Sequence, residues 1–218
     1  MRRVPSFYTL SLLAGALLVG VAGVRHPLLQ GDGAAQLATI AATPGWRGIH
    51  LSLVFGIVLV VAGLVGVALK HGETAGSAAA RTGILLGVLG YGTALVGVLV
   101  MSGSATRLAA AYMAAQPGLA ATEAVFFYDM IRPFAAMALR VGEFGIGLSM
   151  WSFGWAVWDG RVLPRWLGMV GVLAGVACTV WAVVVNEEAA RLMGGLALVT
   201  VWQLAVAAWF AARETQPA

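Results

Sequence analysis

Apolar residues fill six stretches of this chain, about 7–24, 49–69, 82–102, 133–158, 166–185 and 195–212, and polar residues gather between them. A helix rising 1.5 Å per residue needs about 20 residues to cross a hydrocarbon core of roughly 30 Å. Each stretch is of that order. The second is the cleanest, uncharged from Leu51 to Leu69 and ended by Lys70. The pattern predicts an all-α polytopic membrane protein, with a single transmembrane domain over residues 1–218. It leaves no length for a separate soluble domain.

The connections predict further elements. Gly31-Asp32-Gly33, then Ala34–Ala42 and the stop at Thr43-Pro44-Gly45, read as a short capped helix. Residues 105–116 and 119–130 read as two more, separated by the breaker pair Pro117-Gly118. These Ala-rich pieces, with Tyr112, Phe126, Phe127 and Tyr128, are expected to lie at the outer interface. There they either fill packing space or enclose a cavity.

Glycine, 29 residues in all, falls mostly inside the spans. In lipid, small residues let helix backbones approach, so their spacing maps helix contacts. Gly83, Gly87, Gly90, Ala94 and Gly97 form one stripe, and Gly168, Gly171, Gly175, Cys178 and Ala182 a second. Ser52, Gly56, Gly63 and Gly66 form a less regular third. The expectation is a rigid core built from the second, third and fifth spans. The tryptophans cluster near span ends, as an interfacial belt does. Trp202 and Trp209 share a face expected to meet lipid or a partner subunit.

Charge changes the picture in one respect. The formal net charge is +4, but the basic residues are scattered at span ends, without the block that nucleic-acid binding needs. They set orientation instead. With the N-terminus inside, Arg2, Arg3, Lys70, Arg81, Arg161, Arg165 and Arg213 are cytoplasmic, and Arg25, Arg47, Arg107, Arg132 and Arg191 lie outside. Both termini are then cytoplasmic. Met1-Arg2-Arg3 and the apolar run to Val24 also have the form of a signal peptide; retention as the first span is the expectation. The single cysteine, Cys178, excludes an internal disulfide and a cysteine-based metal site, and reads as a buried packing thiol.

Candidate chemistry sits in the fourth span. From Phe144 to Trp158 there are 15 uncharged residues, a helix of about 22 Å. That is too short to cross, so Glu143 and Arg140 are drawn into the outer part of the slab. They are neighbours at i and i+3, and the same stripe extends toward Asp129 and Arg132. Two readings fit: a structural pair, with Arg140 reaching the headgroups, or a ligand or proton site inside the bundle. His50 opens the second span at a comparable depth, and His26 ends the first on the same side. Together they are the candidate ligands of a b-type haem. His71 lies in a cytoplasmic connection. Gln203, alone in the last span, is expected to hydrogen-bond between helices.

No phosphate-binding glycine loop, HExxH, CxxC or nucleophile elbow occurs, and no catalytic set is assigned. Gly48-Ile49-His50-Leu51 opening a span, glycines at 56, 63 and 66 below it, and Leu163-Pro164-Arg165-Trp166-Leu167-Gly168 opening another resemble uncharacterised six-helix bacterial membrane proteins. That resemblance implies a fold and no activity. The leading expectation is a non-enzymatic inner-membrane protein: a structural or accessory subunit, or a binder of a lipid-like or small anionic ligand at an outer-side pocket formed by Arg140, Glu143, His50, Asp129 and Arg132. The alternatives are a small transporter with Glu143 as proton or substrate site, and a haem cytochrome using His26 and His50. The expected partners are the bilayer and other membrane subunits or a second copy, with no nucleic acid.

Overall fold

A computed structural model describes residues 4–115, 118–185 and 189–216, with side chains outside 186–193. Arg2, Arg3, Pro117 and the side chain of Arg191, all used above, lie outside that set. The described residues are 86% helical, with no strand among them. The helices are α1 (Phe7–Arg25), α2 (Gly33–Ala42), α3 (Trp46–Lys70), α4 (Ser77–Val100), α5 (Thr106–Ala114), α6 (Leu119–Gly160), α7 (Arg165–Val184) and α8 (Ala189–Glu214), with a π-helical turn at Met101–Ala105.

Their ends follow local chemistry. The Ser6 hydroxyl accepts from the Thr9 amide at 3.3 Å to cap α1, and Asp32 accepts from the Ala35 amide at 2.9 Å to cap α2. Gly45, at φ +75°, supplies the left-handed residue that turns the chain from α2 into α3. Pro164 precedes the first residue of α7 and ends the short connection from α6.

Among the described residues, five helical segments are long and apolar enough to cross a membrane: Phe7–Arg25, Trp46–Lys70, Ser77–Ala114, Arg165–Val184 and Gly194–Glu214. The fourth expected span belongs to α6, which departs from the sequence reading. Residues 119–130 do not form a helix of their own; they continue through Pro133 into a single helix of 42 residues, about 63 Å long. A proline inside a helix removes one amide hydrogen bond, and here the flanking turns carry the helix across it. The segment at 105–114 also differs from expectation. It continues α4 through the π turn rather than starting afresh. The Trp46 indole donates to the Met101 carbonyl at 3.2 Å within that turn.

These extensions, with α2, build a second layer at the end of the bundle opposite the start of α1, the outer end. It has a core of its own, in which Leu37, Trp46, Ala109 and Tyr128 are buried together. The main core lies along the spans, around Leu64, Ile146, Met150, Phe153 and Trp202.

The glycine stripes do mark close contacts, but the second, third and fifth spans do not share them with one another. The α3 stripe meets α1, with Gly63 against Leu12 and Gly66 against Tyr8. Ser52 stands apart from it, its hydroxyl bonded to the Gly48 carbonyl. The α4 and α7 stripes both meet α6: Gly90 lies against Gly142, Gly145 and Ile146, and Gly175 against Gly147 and Trp151. The central helix is therefore α6. Its own glycines at 142, 147 and 154 complete the surfaces on both sides.

Two tryptophans also depart from the belt. Trp202 is buried, and its indole donates to the Leu167 carbonyl at 2.8 Å; it joins α8 to α7 and does not face lipid. Trp46 is buried in the outer core. Gln203 donates to the Tyr91 hydroxyl at 2.6 Å, tying α8 to α4.

At the inner end, Glu214 gathers three helices. It accepts from the Ser6 amide at 2.7 Å, from the Thr9 hydroxyl at 3.1 Å and from Lys70 Nζ at 2.7 Å. The first described residues, the end of α3 and the end of α8 thus meet on the same side of the bundle.

Two stability experiments check this packing. A side chain at Gly154 would collide with the Val172 amide nitrogen, whereas at Gly92 it would meet nothing within 4 Å. Gly154→Val is expected to destabilise the detergent-solubilised protein by about 1–3 kcal/mol, and Gly92→Ala to leave its Tm unchanged or slightly raised. Glu214→Ala, which strips the shared acceptor, is expected to cost about 1.5–3 kcal/mol, with faster proteolysis at the inner end as a second readout.

Candidate ligand site at the outer end

At the outer end the helices leave a cavity of about 300 Å³. His26 reaches it from the end of α1, Gln36 from α2, His50 from α3, and Tyr128 and Arg132 from α6. The floor is apolar, formed by Leu53, Val98 and Leu139.

The framework of the wall is a chain of hydrogen bonds. The Tyr128 hydroxyl donates to Gln36 Oε1 at 2.9 Å, and Gln36 Nε2 donates to the Gly31 carbonyl at 3.0 Å. This pins α2 and the loop before it to α6. Burial pushes the Tyr128 phenol up to about 12, with Arg132 nearby working against that shift and Asp129 adding to it. Tyr128 therefore stays a neutral donor.

The two histidines are held alike. His50 Nδ1 lies 2.9 Å from the Trp46 carbonyl, and His26 Nδ1 lies 2.9 Å from the Pro27 carbonyl. A carbonyl oxygen only accepts, so each Nδ1 carries the proton and each Nε2 is left as a lone-pair acceptor. The rings pack with Trp46, the His26 and His50 centroids 5.1 Å apart at 62°. That edge-on contact leaves no slot for a porphyrin plane between the rings in this arrangement. Burial also lowers the His26 pKa below the ordinary 6.5, its backbone hydrogen bond working against that shift. No carboxylate lines the cavity among the described residues, and Arg132 is the lining group with a fixed positive charge.

The structure divides the residues singled out by the sequence. His50 and Arg132 line the cavity together with His26. Asp129 is exposed beside it, its carboxylate against Gly33 in the first turn of α2, where the helix dipole favours a negative charge.

Arg140 and Glu143 lie elsewhere. The Arg140 guanidinium donates to the Val185 carbonyl at 2.8 Å, closing the C-terminal end of α7. Glu143 is 1% exposed and points between α7 and α8, with its carboxyl against Gly195. The Leu196 amide faces that carboxyl, and neither carboxyl oxygen meets another hydrogen-bond partner among the described residues. The expected Arg140–Glu143 ion pair is not made among the described contacts; the one ion pair there is Lys70–Glu214. The i, i+3 spacing did place both on one side of α6, but each reaches a different neighbour. The Cys178 thiol donates to the Glu143 backbone carbonyl at 3.5 Å and is buried.

Sequence reasoning missed Gln36 as part of the wall and Trp46 as the ring that packs behind the histidines, whereas Tyr128 belongs to a segment expected to cover the outer end. A signal existed for the first: Gln36 is a lone amide among the small and apolar residues of α2. Among the described residues no group of three or more His, Cys, Asp or Glu side chains is arranged to hold a metal. No protein-family model, curated protein or solved structure matches the chain.

His71, at the inner end, is buried with Nε2 lacking a partner among the described residues, and burial lowers its pKa as it does that of His26. Both rings are neutral in the folded and unfolded states above about pH 6.5. Below that the unfolded chain takes up protons that the native one refuses, so stability falls with pH. The Tm of the solubilised protein should be level from about pH 7 to 8 and decline below about 6.5. In His71→Gln that decline should be shallower. A Tm level down to about pH 5 would contradict the burial of both rings.

Proposed function

We propose that this chain is a non-enzymatic, multi-pass protein of the bacterial inner membrane, with both termini cytoplasmic, that binds a lipid-like or small anionic ligand in the outer-end cavity. One observation carries the reading: a cavity wall that presents one guanidinium and two accepting imidazole nitrogens, with no carboxylate among its described lining residues and Asp129 outside it, against Gly33. Such a wall attracts an anion and accepts hydrogen bonds from hydroxyl or amide groups beside it. The excess of Lys and Arg on one set of connections supports the orientation, and the meeting of Ser6 with Glu214 is consistent with termini on one side.

A second reading, a small proton-coupled transporter, is favoured by the Glu143 carboxyl, buried without an ion-pair partner among the described residues. Buried ionisable groups within membrane spans often belong to proton or substrate pathways. Glu143 lines neither the outer cavity nor the groove below it, so this reading would need a motion that opens α8 from α6.

The test is what the protein retains through purification in mild detergent. Mass spectrometry of the bound material should find an anionic ligand on the wild type, depleted about tenfold in Arg132→Ala and reduced in His50→Ala, in line with the loss of a charge-assisted hydrogen bond. The same ligand retained equally by all three proteins would sink the proposal. A proton-coupled flux in proteoliposomes that Glu143→Gln abolishes would favour the transporter, and a Soret band in the purified protein would assign the histidine pair to haem.

A further inference from the structure

Below the outer cavity lies a second space of about 600 Å³, walled by α1, α3, α4, α6 and α8. Leu53, Val98 and Leu139 line both spaces. The polar chamber and the apolar groove therefore adjoin along these three side chains. The two differ sharply in what they offer. The lower groove is lined almost wholly by hydrocarbon, among it Leu17, Val21 and Ile57. Its polar residues are already engaged: the Thr200 hydroxyl donates to the Leu196 carbonyl at 2.8 Å, and the Tyr91 hydroxyl accepts from Gln203 at 2.6 Å.

Resting on the functional reading above, we infer that the two spaces form one site for a single anionic phospholipid whose head carries hydroxyl groups. The phosphate sits at Arg132, the head hydroxyls donate to Nε2 of His26 and His50, and an acyl chain lies in the groove. Charge complementarity selects this class over a zwitterionic lipid. The lining holds a guanidinium and no carboxylate among the described residues, the nearby Asp129 carboxylate lying against Gly33 at the start of α2, so a choline ammonium, which cannot donate to an imidazole, meets no counter-charge in the lining. The imidazoles, with Nδ1 fixed by carbonyls, accept hydrogen bonds at Nε2, which a hydroxylated head satisfies and a quaternary ammonium does not. The groove then offers the chain a slot whose opening the helix backbones leave free: a side chain at Gly23 would meet nothing within 4 Å, and at Gly20 it would meet only Thr200 Cγ2, at 3.4 Å.

The experiment measures binding of added lipids to the delipidated full-length protein in detergent, by native mass spectrometry. The probes are phosphatidylglycerol, phosphatidylcholine of the same chains, and glycerol 3-phosphate as a head without a chain. Phosphatidylglycerol is expected to bind about tenfold more tightly than phosphatidylcholine, and Arg132→Ala should remove that preference. Gly20→Phe and Ala197→Phe fill the groove from opposite walls, on α1 and α8. Each, at wild-type Tm, should weaken phosphatidylglycerol about tenfold while leaving glycerol 3-phosphate binding unchanged. If both groove variants bind phosphatidylglycerol like the wild type, or if glycerol 3-phosphate binds as tightly as the lipid, the joined site is overturned and the outer cavity reading stands. If Arg132→Ala and His50→Ala leave every probe unaffected, the cavity reading falls, and the joined site with it.

Discussion

Helix α6 touches its neighbours backbone to backbone, and the rest of the structure depends on that contact. In a hydrocarbon solvent, side chains gain little by leaving lipid for protein, so helices associate by close packing and by hydrogen bonds. The glycines of α4 and α7 face those of α6 closely enough that added side chains would strike main-chain atoms, as at Gly90 and Gly154. Such surfaces admit one registry. They fix α6 between α4 and α7, and its outer third is carried beyond the bundle as a rigid post.

That post is what makes the outer chamber. Tyr128 and Arg132 stand on the same continuous helix as the glycines at 142 and 147. Their height above the bundle is therefore set by packing deep in the slab. The extension of α4 through the π turn supplies a second post, and α2 closes the gap between them through Gln36 and Tyr128. A π turn leaves backbone carbonyls out of register, and one of them, at Met101, accepts from the Trp46 indole, which in turn packs on both histidines. Backbone irregularity and cavity wall are parts of one arrangement.

Polar groups inside the bundle obey the same accounting. Gln203, Tyr91, Ser149, Trp202 and Cys178 each meet a partner across a helix contact. Glu143 is the departure. It occupies space that Gly195 leaves open, with no ion-pair partner among the described residues, and Arg140 one turn away is spent on the end of α7. A buried group left in this state is a feature to be explained by function or motion rather than by stability.

Much of this was legible along the chain, because hydrophobicity and small-residue spacing are local properties. Span length, the Asp32 cap of α2, the turn at Gly45 and the existence of close helix faces all follow from a few consecutive residues and the dimensions of a bilayer. Which face meets which does not. The stripes at Gly83–Gly97 and Gly168–Ala182 look alike, and nothing in either says that both belong to α6. The spacing of Arg140 and Glu143 put them on one side of a helix, but their separation is decided by the end of α7 and by the notch at Gly195, both more than 40 residues away along the chain. The continuity of α6 through Pro133 was hidden for the same reason. A proline reads as a boundary on local rules, and only flanking contacts that hold the turns on both sides make it an interior residue. Local chemistry thus sets long apolar helices compatible with a membrane bundle, and the small-residue faces on them; which polar side chains share a chamber follows from helix partners that no single stretch of chain can choose.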